Sequence, residues 1–234
     1  LRAAHGNGQG PVGDRVVGKL GHVGVDGPPG EAVASGLVRR VGHAVAMNRL
    51  LQHFRTLAHA NRLANYRLHS ACSTLTNEEF KAPRTSFFPS LWATLNHILI
   101  VDWYYISALY RERDMRRAFE SETPYDNMRE LAAAQVKSDQ RLIDWCEAAD
   151  DAALDAPIEM DRETFVQRDL ARHVLMHLLT HQIHHRGQAH AMLAGTAIKP
   201  PQLDEFVMPS ETHFRVDDLA ALGWTEADLF GQRA

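Results

Sequence analysis

ARHVLMHLLTHQIHHRGQAH, running from Ala171 to His190, carries six of the chain's 14 histidines: His173, His177, His181, His184, His185 and His190. Four of them, His173, His177, His181 and His185, recur at steps of four residues. On an α-helix, residues four apart are neighbours on one face. Two such imidazoles can therefore share an ion if a third ligand comes from elsewhere in the fold.

Outward from this stretch the chain reads as helix. Towards the N-terminus, Thr164-Phe165-Val166-Gln167 fits the capping box S/T-x-x-E/Q and predicts that the fourth helix starts there, with residues 156–163 extended ahead of it. Towards the C-terminus, Gly195 is a natural cap glycine and Pro200-Pro201 prevents continuation. Earlier in the chain, Leu50, Leu51, Phe54, Leu57, Leu63 and Leu68 recur at spacings of three and four, predicting a first helix over 48–72. Thr76-Asn77-Glu78-Glu79 offers another cap and a short turn of helix. Ser86 with Pro89 in the first turn predicts a second helix over 86–113, and a third spans 125–149. The tail beyond Gln202 reads as a loop followed by a short helix near Val216, with Thr225 capping a further turn.

Four long helices without a competing strand alternation predict an all-α fold, a four-helix bundle over residues 47–206 with a helical tail over 207–234. Residues 1–46 differ. They hold 11 of the 15 glycines and no aromatic residue, so the expectation is a disordered extension that cannot offset its ordering entropy, and one not native if translation starts at Met47. Two motifs inside it are rejected. Gly8-Gln9-Gly10-Pro11-Val12-Gly13 spells G-x-G-x-x-G without a strand before it or a helix after it. Glycine at every third position from Gly18 to Gly30 is too short a run for a collagen helix.

A net charge of −4 gives no nucleic-acid footprint, and no apolar run is long enough to span a membrane. No signal-peptide pattern is present. Cys72 and Cys146 lie outside any C-x-x-C motif, which predicts a reducing, cytoplasmic setting.

A single histidine on an apolar helix face is ordinarily a core residue with a satisfied hydrogen bond. Several in series need more, because desolvating imidazole without a partner is costly. His173 and His185 lie about 18 Å apart along a helix, so one ion can take only one i, i+4 pair, and spacing leaves 173/177, 177/181 and 181/185 open. His97, alone in the apolar second helix, supplies the third ligand. Three neutral imidazoles leave positions open for water or substrate, as in catalytic sites. Asp102, about 140° round the helix from His97, is a weak general-base candidate.

At these residues the chain resembles a known family. Leu95-Asn96-His97-Ile98-Leu99 with Asp102, followed by His181-Gln182-Ile183-His184-His185-Arg186-Gly187-Gln188, is similar to the signature of the DinB/YfiT-like four-helix bundles. Leu63-Ala64-Asn65-Tyr66 and Pro200-Pro201-Gln202-Leu203-Asp204 add to the likeness, which covers Met47 to Phe206. The resemblance implies that His97, His181 and His185 hold a divalent ion, zinc or nickel. It places His184 beside the site, and His173 and His177 near it or at the surface. Gly187 is expected to permit close helix approach. Arg186 is expected to serve structure, as an exposed ion pair, rather than to hold an anionic ligand.

The resemblance also implies a reaction class, a metal-dependent thiol S-transferase or thiol-dependent isomerase acting on a low-molecular-weight thiol and a small electrophile. The alternative is a non-catalytic stress-response or sensor module that binds metal without turnover. A third reading, a helical interaction protein with surface histidines, needs no metal. Relatives often form homodimers, and that expectation comes with the family. No membrane or nucleic-acid partner is expected. Histidine ligation predicts metal loss in mild acid as the imidazoles protonate.

Overall fold

The computed structural model describes residues 29–204 and 207–231, with side chains from Arg49 onward. Contacts divide the chain into Leu1–Arg40 and Val41–Ala234, and the site lies wholly in the second unit. Among the described residues there are four long helices: α1 Pro29–Cys72, which begins in the first unit, and α3 Leu91–Leu109, α4 Met128–Ala148 and α6 Ala171–Ala194. Short helices α2 (Asn77–Lys81), α5 (Asp151–Leu154), α7 (Val216–Leu222) and α8 (Glu226–Phe230) link or follow them, with 3-10 turns at Met115–Phe119 and Pro209–Phe214. The four-helix architecture expected from the apolar periodicity is present.

Several boundaries moved. Helix α1 begins at Pro29 rather than near residue 48, so residues 29–46 of the expected disordered extension are helical. The rest of that extension, residues 1–28, lies outside the described residues. The second helix starts at Leu91, not Ser86. Ser90 is its N-cap, its hydroxyl accepting from the Ala93 N–H at 3.1 Å. Pro89 falls just before the cap, with its carbonyl accepting from the Arg84 N–H at 2.7 Å, so the proline closes a loop instead of opening a helix. Thr76 makes the expected capping box with Glu79, and α7 starts at Val216 as expected. Thr225 caps α8.

The largest correction concerns residues 157–170. Thr164 does not cap a helix. Instead β1 (Pro157–Asp161) and β2 (Val166–Leu170) form an antiparallel hairpin in which Met160 faces Gln167. Glu163 turns the chain at φ +72°, and the Arg162 N–H donates to the Phe165 carbonyl at 2.9 Å. Gln167, needed for the box, bonds to Arg162 and Asp169 instead. Ile158 and Met160 enter the core while their neighbours stay exposed, the period of two that marks a half-buried strand. Helix α6 therefore starts at Ala171, and it ends at Gly195 as expected.

Two apolar layers hold the bundle. One gathers Phe54, Ile100, Tyr104, Leu142, Leu175 and Leu178, and the other Leu68, Leu95, Leu99, Leu131, Ala189 and Leu193, so each draws on all four long helices. The tail folds back on α1. Arg67 pairs with Asp218, and the His59 ring lies 5.0 Å from that of Trp224. Gly223 supplies the left-handed residue that ends α7, at φ +68°.

Gly187 has nothing within 4 Å of where a Cβ would stand, so it does not serve close helix approach. No described helix is long and apolar enough to cross a membrane.

Candidate metal centre

Helix α3 carries His97, and helix α6 carries His181 and His185. The Ser90 cap and the Gly195 stop fix the two helices' extents, and the two pack directly against one another. Each step of four residues overshoots a helical turn by about 40°. The histidine stripe therefore drifts round α6, and only part of it can face α3. The part that does is 181/185: the nitrogens His97, His181 and His185 can offer all lie within 4.8 Å of one another. His97 Nε2 and His181 Nε2 are 3.1 Å apart. Ring centroids are 5.1 Å (97–181), 4.7 Å (97–185) and 4.4 Å (181–185).

The donor set suits a divalent ion. Tetrahedral bonds of about 2.0–2.1 Å put neighbouring ligand nitrogens roughly 3.3 Å apart, close to the 97–181 separation. That contact alone is also the geometry of one imidazole hydrogen-bonded to another, and the convergence of His185 on the same spot is what favours an ion. Imidazole ligands normally give their second nitrogen to an orienting acceptor. His185 does so, with Nδ1 lying 2.8 Å from Gln188 Oε1. His181 Nδ1 is buried and has no such partner among the described residues.

All three rings are held neutral. Burial, then the nearby His185, brings His97 down to about 4. Burial followed by repulsion from His185 and His97 brings His181 to about 3, and burial also lowers His185. A ring whose folded pKa lies below its unfolded value of 6.5 resists protonation in the folded state. Folding stability is therefore fully present above pH 6.5 and falls as pH drops towards the folded values. Protons compete with a metal for the folded site only near those lower values, so release is expected further into acid than free imidazole suggests. Equilibrium dialysis should find a bound ion retained at pH 5.5 and gone by pH 3. Release already complete at pH 6 would show that the rings are not shielded in this way.

Phenylalanines wall the centre. The Phe88 ring sits 4.3 Å from His97 and 5.5 Å from His185. Phe87 is 71% exposed, 6.5 Å from His185. On the other side, the exposed His177 ring lies 6.3 Å from His181 and 4.9 Å from Tyr105, whose hydroxyl accepts from Arg162 Nη2 at 2.8 Å. No sequence pattern points to Phe88 or Tyr105, and Gln188 stands out only as part of the family signature. In the sequence the Phe87-Phe88 pair fits a helix start between Ser86 and Pro89, which hides its place at the centre.

Asp102 is not in the centre. Its Oδ2 accepts from Gln135 Nε2 at 2.6 Å and from Gln182 Nε2, and it is 2% exposed. Burial, then the neighbouring Asp139 carboxylate, pushes its pKa well up. It belongs to a buried polar network and has no geometry for a base beside the three imidazoles. Arg186 is in the same network, so it is not the exposed ion pair expected. At 7% exposure its Nη1 donates to Asn65 Oδ1 at 3.0 Å, to Gln182 Oε1 at 3.2 Å, and to Asn61 Oδ1. Burial lowers it to about 10, which leaves it cationic at neutral pH. Asp139 completes the set, accepting from Asn65 and Gln135, both at 2.9 Å. Gln182, one residue from His181, is thereby tied to Asp102 on the helix that carries His97.

The remaining histidines of the stretch do other things. His184 stacks 4.7 Å from His185, and His190 Nε2 is 3.0 Å from the Pro201 carbonyl. His173 is exposed on another face of α6. Cys72 and Cys146 are buried, and burial pushes both thiols up to about 12, so neither is a nucleophile.

No curated protein matches the chain. Among solved structures, a DinB-like protein from Bacillus cereus ATCC 10987 is similar at 17% identity and a TM-score of 0.48, over 59% of this chain and 89% of that one. The family model described as DinB family matches residues 47–214. Because that match spans more than two-thirds of the sequence and takes in all three imidazoles, the chain belongs to the DinB family.

Proposed function

We propose that His97, His181 and His185 bind one divalent ion, zinc or nickel, and that the protein uses it as a thiol S-transferase or thiol-dependent isomerase. The observation that carries the metal reading is the convergence of three neutral imidazoles from two helices within 4.8 Å. A divalent ion there would act as a Lewis acid that favours the deprotonated form of a bound thiol. The chain's own residues supply the rest. Three neutral ligands leave coordination positions for an incoming group. Phe88 shields the centre from water on one side and gives an apolar wall to a small electrophile. His177, whose ring pKa is lowered by partial desolvation and then by Arg162, would accept the thiol's proton at a ring nitrogen. The nucleophile must be a small exogenous thiol, since both cysteines are buried and unreactive.

One observation favours the non-catalytic alternative: among the described residues, no carboxylate joins the three imidazoles. A thiol panel separates the two. The metal-loaded protein is incubated with low-molecular-weight thiols and a bimane or chloroaromatic electrophile, and thiol consumption is followed with and without chelation. Consumption that stops on chelation and returns with zinc or nickel is expected. Chelator-independent rates across the whole panel would leave a metal-binding module without turnover.

A further inference from the structure

On the far side of α6 from the imidazoles lies a cavity of about 600 Å³ between α6 and α1. Ile183, on its wall, is two residues from His181 and so about 160° away round the helix. Leu50, Phe54 and Leu57 of α1 face Met176, Leu179 and Ile183 of α6, with Leu203 and Val207 over one end. Met176 and Ile183 are 59% and 62% exposed, large apolar side chains left open to solvent along one line. The two walls run from Leu50 to Ala64 and from Arg172 to Arg186, 15 residues each, so the trough is about 21 Å long.

Its dimensions decide what can fill it. The volume is that of an ordinary small-molecule site. The apolar part of the lining is aliphatic apart from Phe54, with His53, His173 and Thr180 also on the walls, and that apolar part suits a flexible hydrocarbon better than a stack of aromatic rings. Charge selects the head group. Arg186 and Asn61 stand at the inner end, 7% and 3% exposed. Every hydrogen bond of the Arg186 guanidinium among the described residues leaves from Nη1. Its Nε and Nη2, the pair that grips a carboxylate side-on, are unspent there. Arg172 at the other end is already paired with Asp155, and Asp204 on the rim is exposed to solvent.

We propose that this trough binds one long-chain aliphatic carboxylate, its head group taken by Arg186 and its chain laid between α1 and α6. The site is separate from the imidazole centre and does not depend on the reading of that centre.

Titration calorimetry on the full-length protein with octanoate, decanoate and dodecanoate, each below its micelle concentration, tests this. One dodecanoate per chain is expected, with affinity rising about threefold to fourfold per methylene, on the order of 100-fold across the series. Dodecyltrimethylammonium should bind at least about tenfold more weakly, because the head-group partner is a cation. Ile183→Glu, at an exposed position that the fold tolerates, should weaken dodecanoate about tenfold or more with the helical circular dichroism unchanged. His97→Ala should leave dodecanoate affinity as it was. No chain-length dependence, equal binding of the ammonium surfactant, or wild-type affinity in Ile183→Glu would each overturn the proposal. So would loss of dodecanoate binding in His97→Ala. A sedimenting dimer that Ile183→Glu dissociates, without dodecanoate binding, would overturn it too and make this face an interface between two copies.

Discussion

Alanine at His97 or at His185 is expected to reduce metal content from about one ion per chain to background, in protein purified without a histidine tag. The two residues come from different helices and meet at the same point, so each removes one of three donors from the same ion. Losing an orienting partner of a ligand already costs roughly 10–100-fold in affinity, and losing the ligand itself should exceed that. Competition against a chelator should therefore show a loss of more than about 100-fold in both variants. Gln188→Leu, which removes only the acceptor facing His185 Nδ1, should fall within the smaller range. His173→Ala is the control, since that imidazole is exposed on a different face of the same helix, and its metal content should match wild type. If His97→Ala keeps a full complement, the 3.1 Å contact between His97 and His181 is a hydrogen bond between two imidazoles, and the metal reading fails.

How far the sequence could be read follows from the range of the interactions involved. Helical periodicity and caps are local, and they located four long helices, the Thr76 and Thr225 boxes and the Gly195 stop. The i, i+4 spacing of the histidines is local too, but it left three pairs equivalent. Packing against α3 at one particular rotation of α6 is what brings 181/185 to His97, and only the family signature pointed to that pair in the sequence. The capping box at Thr164 misled because four residues matched a local pattern while the flanking strands paired with each other instead. The polar network was the least legible part. Asn61, Asn65, Asp102, Gln135, Asp139, Gln182 and Arg186 are polar residues in otherwise apolar helix faces, a visible anomaly. Their partners lie as far as 125 residues away, and no spacing rule connects them. The same gap explains why Asp102 suggested a base and Arg186 an exposed ion pair.

That network gives the second large effect. Arg186→Ala is expected to destabilise the metal-free protein by about 3–5 kcal/mol, a large part of the total for a single domain. The variant strands the Asn61, Asn65 and Gln182 side-chain oxygens, which accept from Arg186 Nη1. It also leaves the buried Asp139 carboxylate with Arg62, 3.8 Å away, as its remaining cation among the described residues. Urea unfolding should show a lower midpoint at unchanged m-value, and a shift worth less than about 1 kcal/mol would mean that water reaches the network. Arg186→Lys should recover only part of the loss, because one ammonium cannot reproduce a planar fork. Asp102→Asn, in the same cluster, should go the other way. Burial and Asp139 hold the folded Asp102 pKa above its unfolded value, so ionisation costs stability that is still intact below pH 3.8 and is lost as pH rises towards the folded pKa. Asparagine has no such ionisation, and its carbonyl can still accept from Gln135 and Gln182. At pH 7 the Asp102→Asn protein should be as stable as wild type or more so, and the difference should shrink towards pH 4. Opposite signs at two members of one network would show that its cation is indispensable while one of its two carboxylates is a burden. The core would then owe its stability to Arg186 with Asp139, and Asp102 would serve chiefly to hold Gln182, and with it His181 and His185, in register with His97.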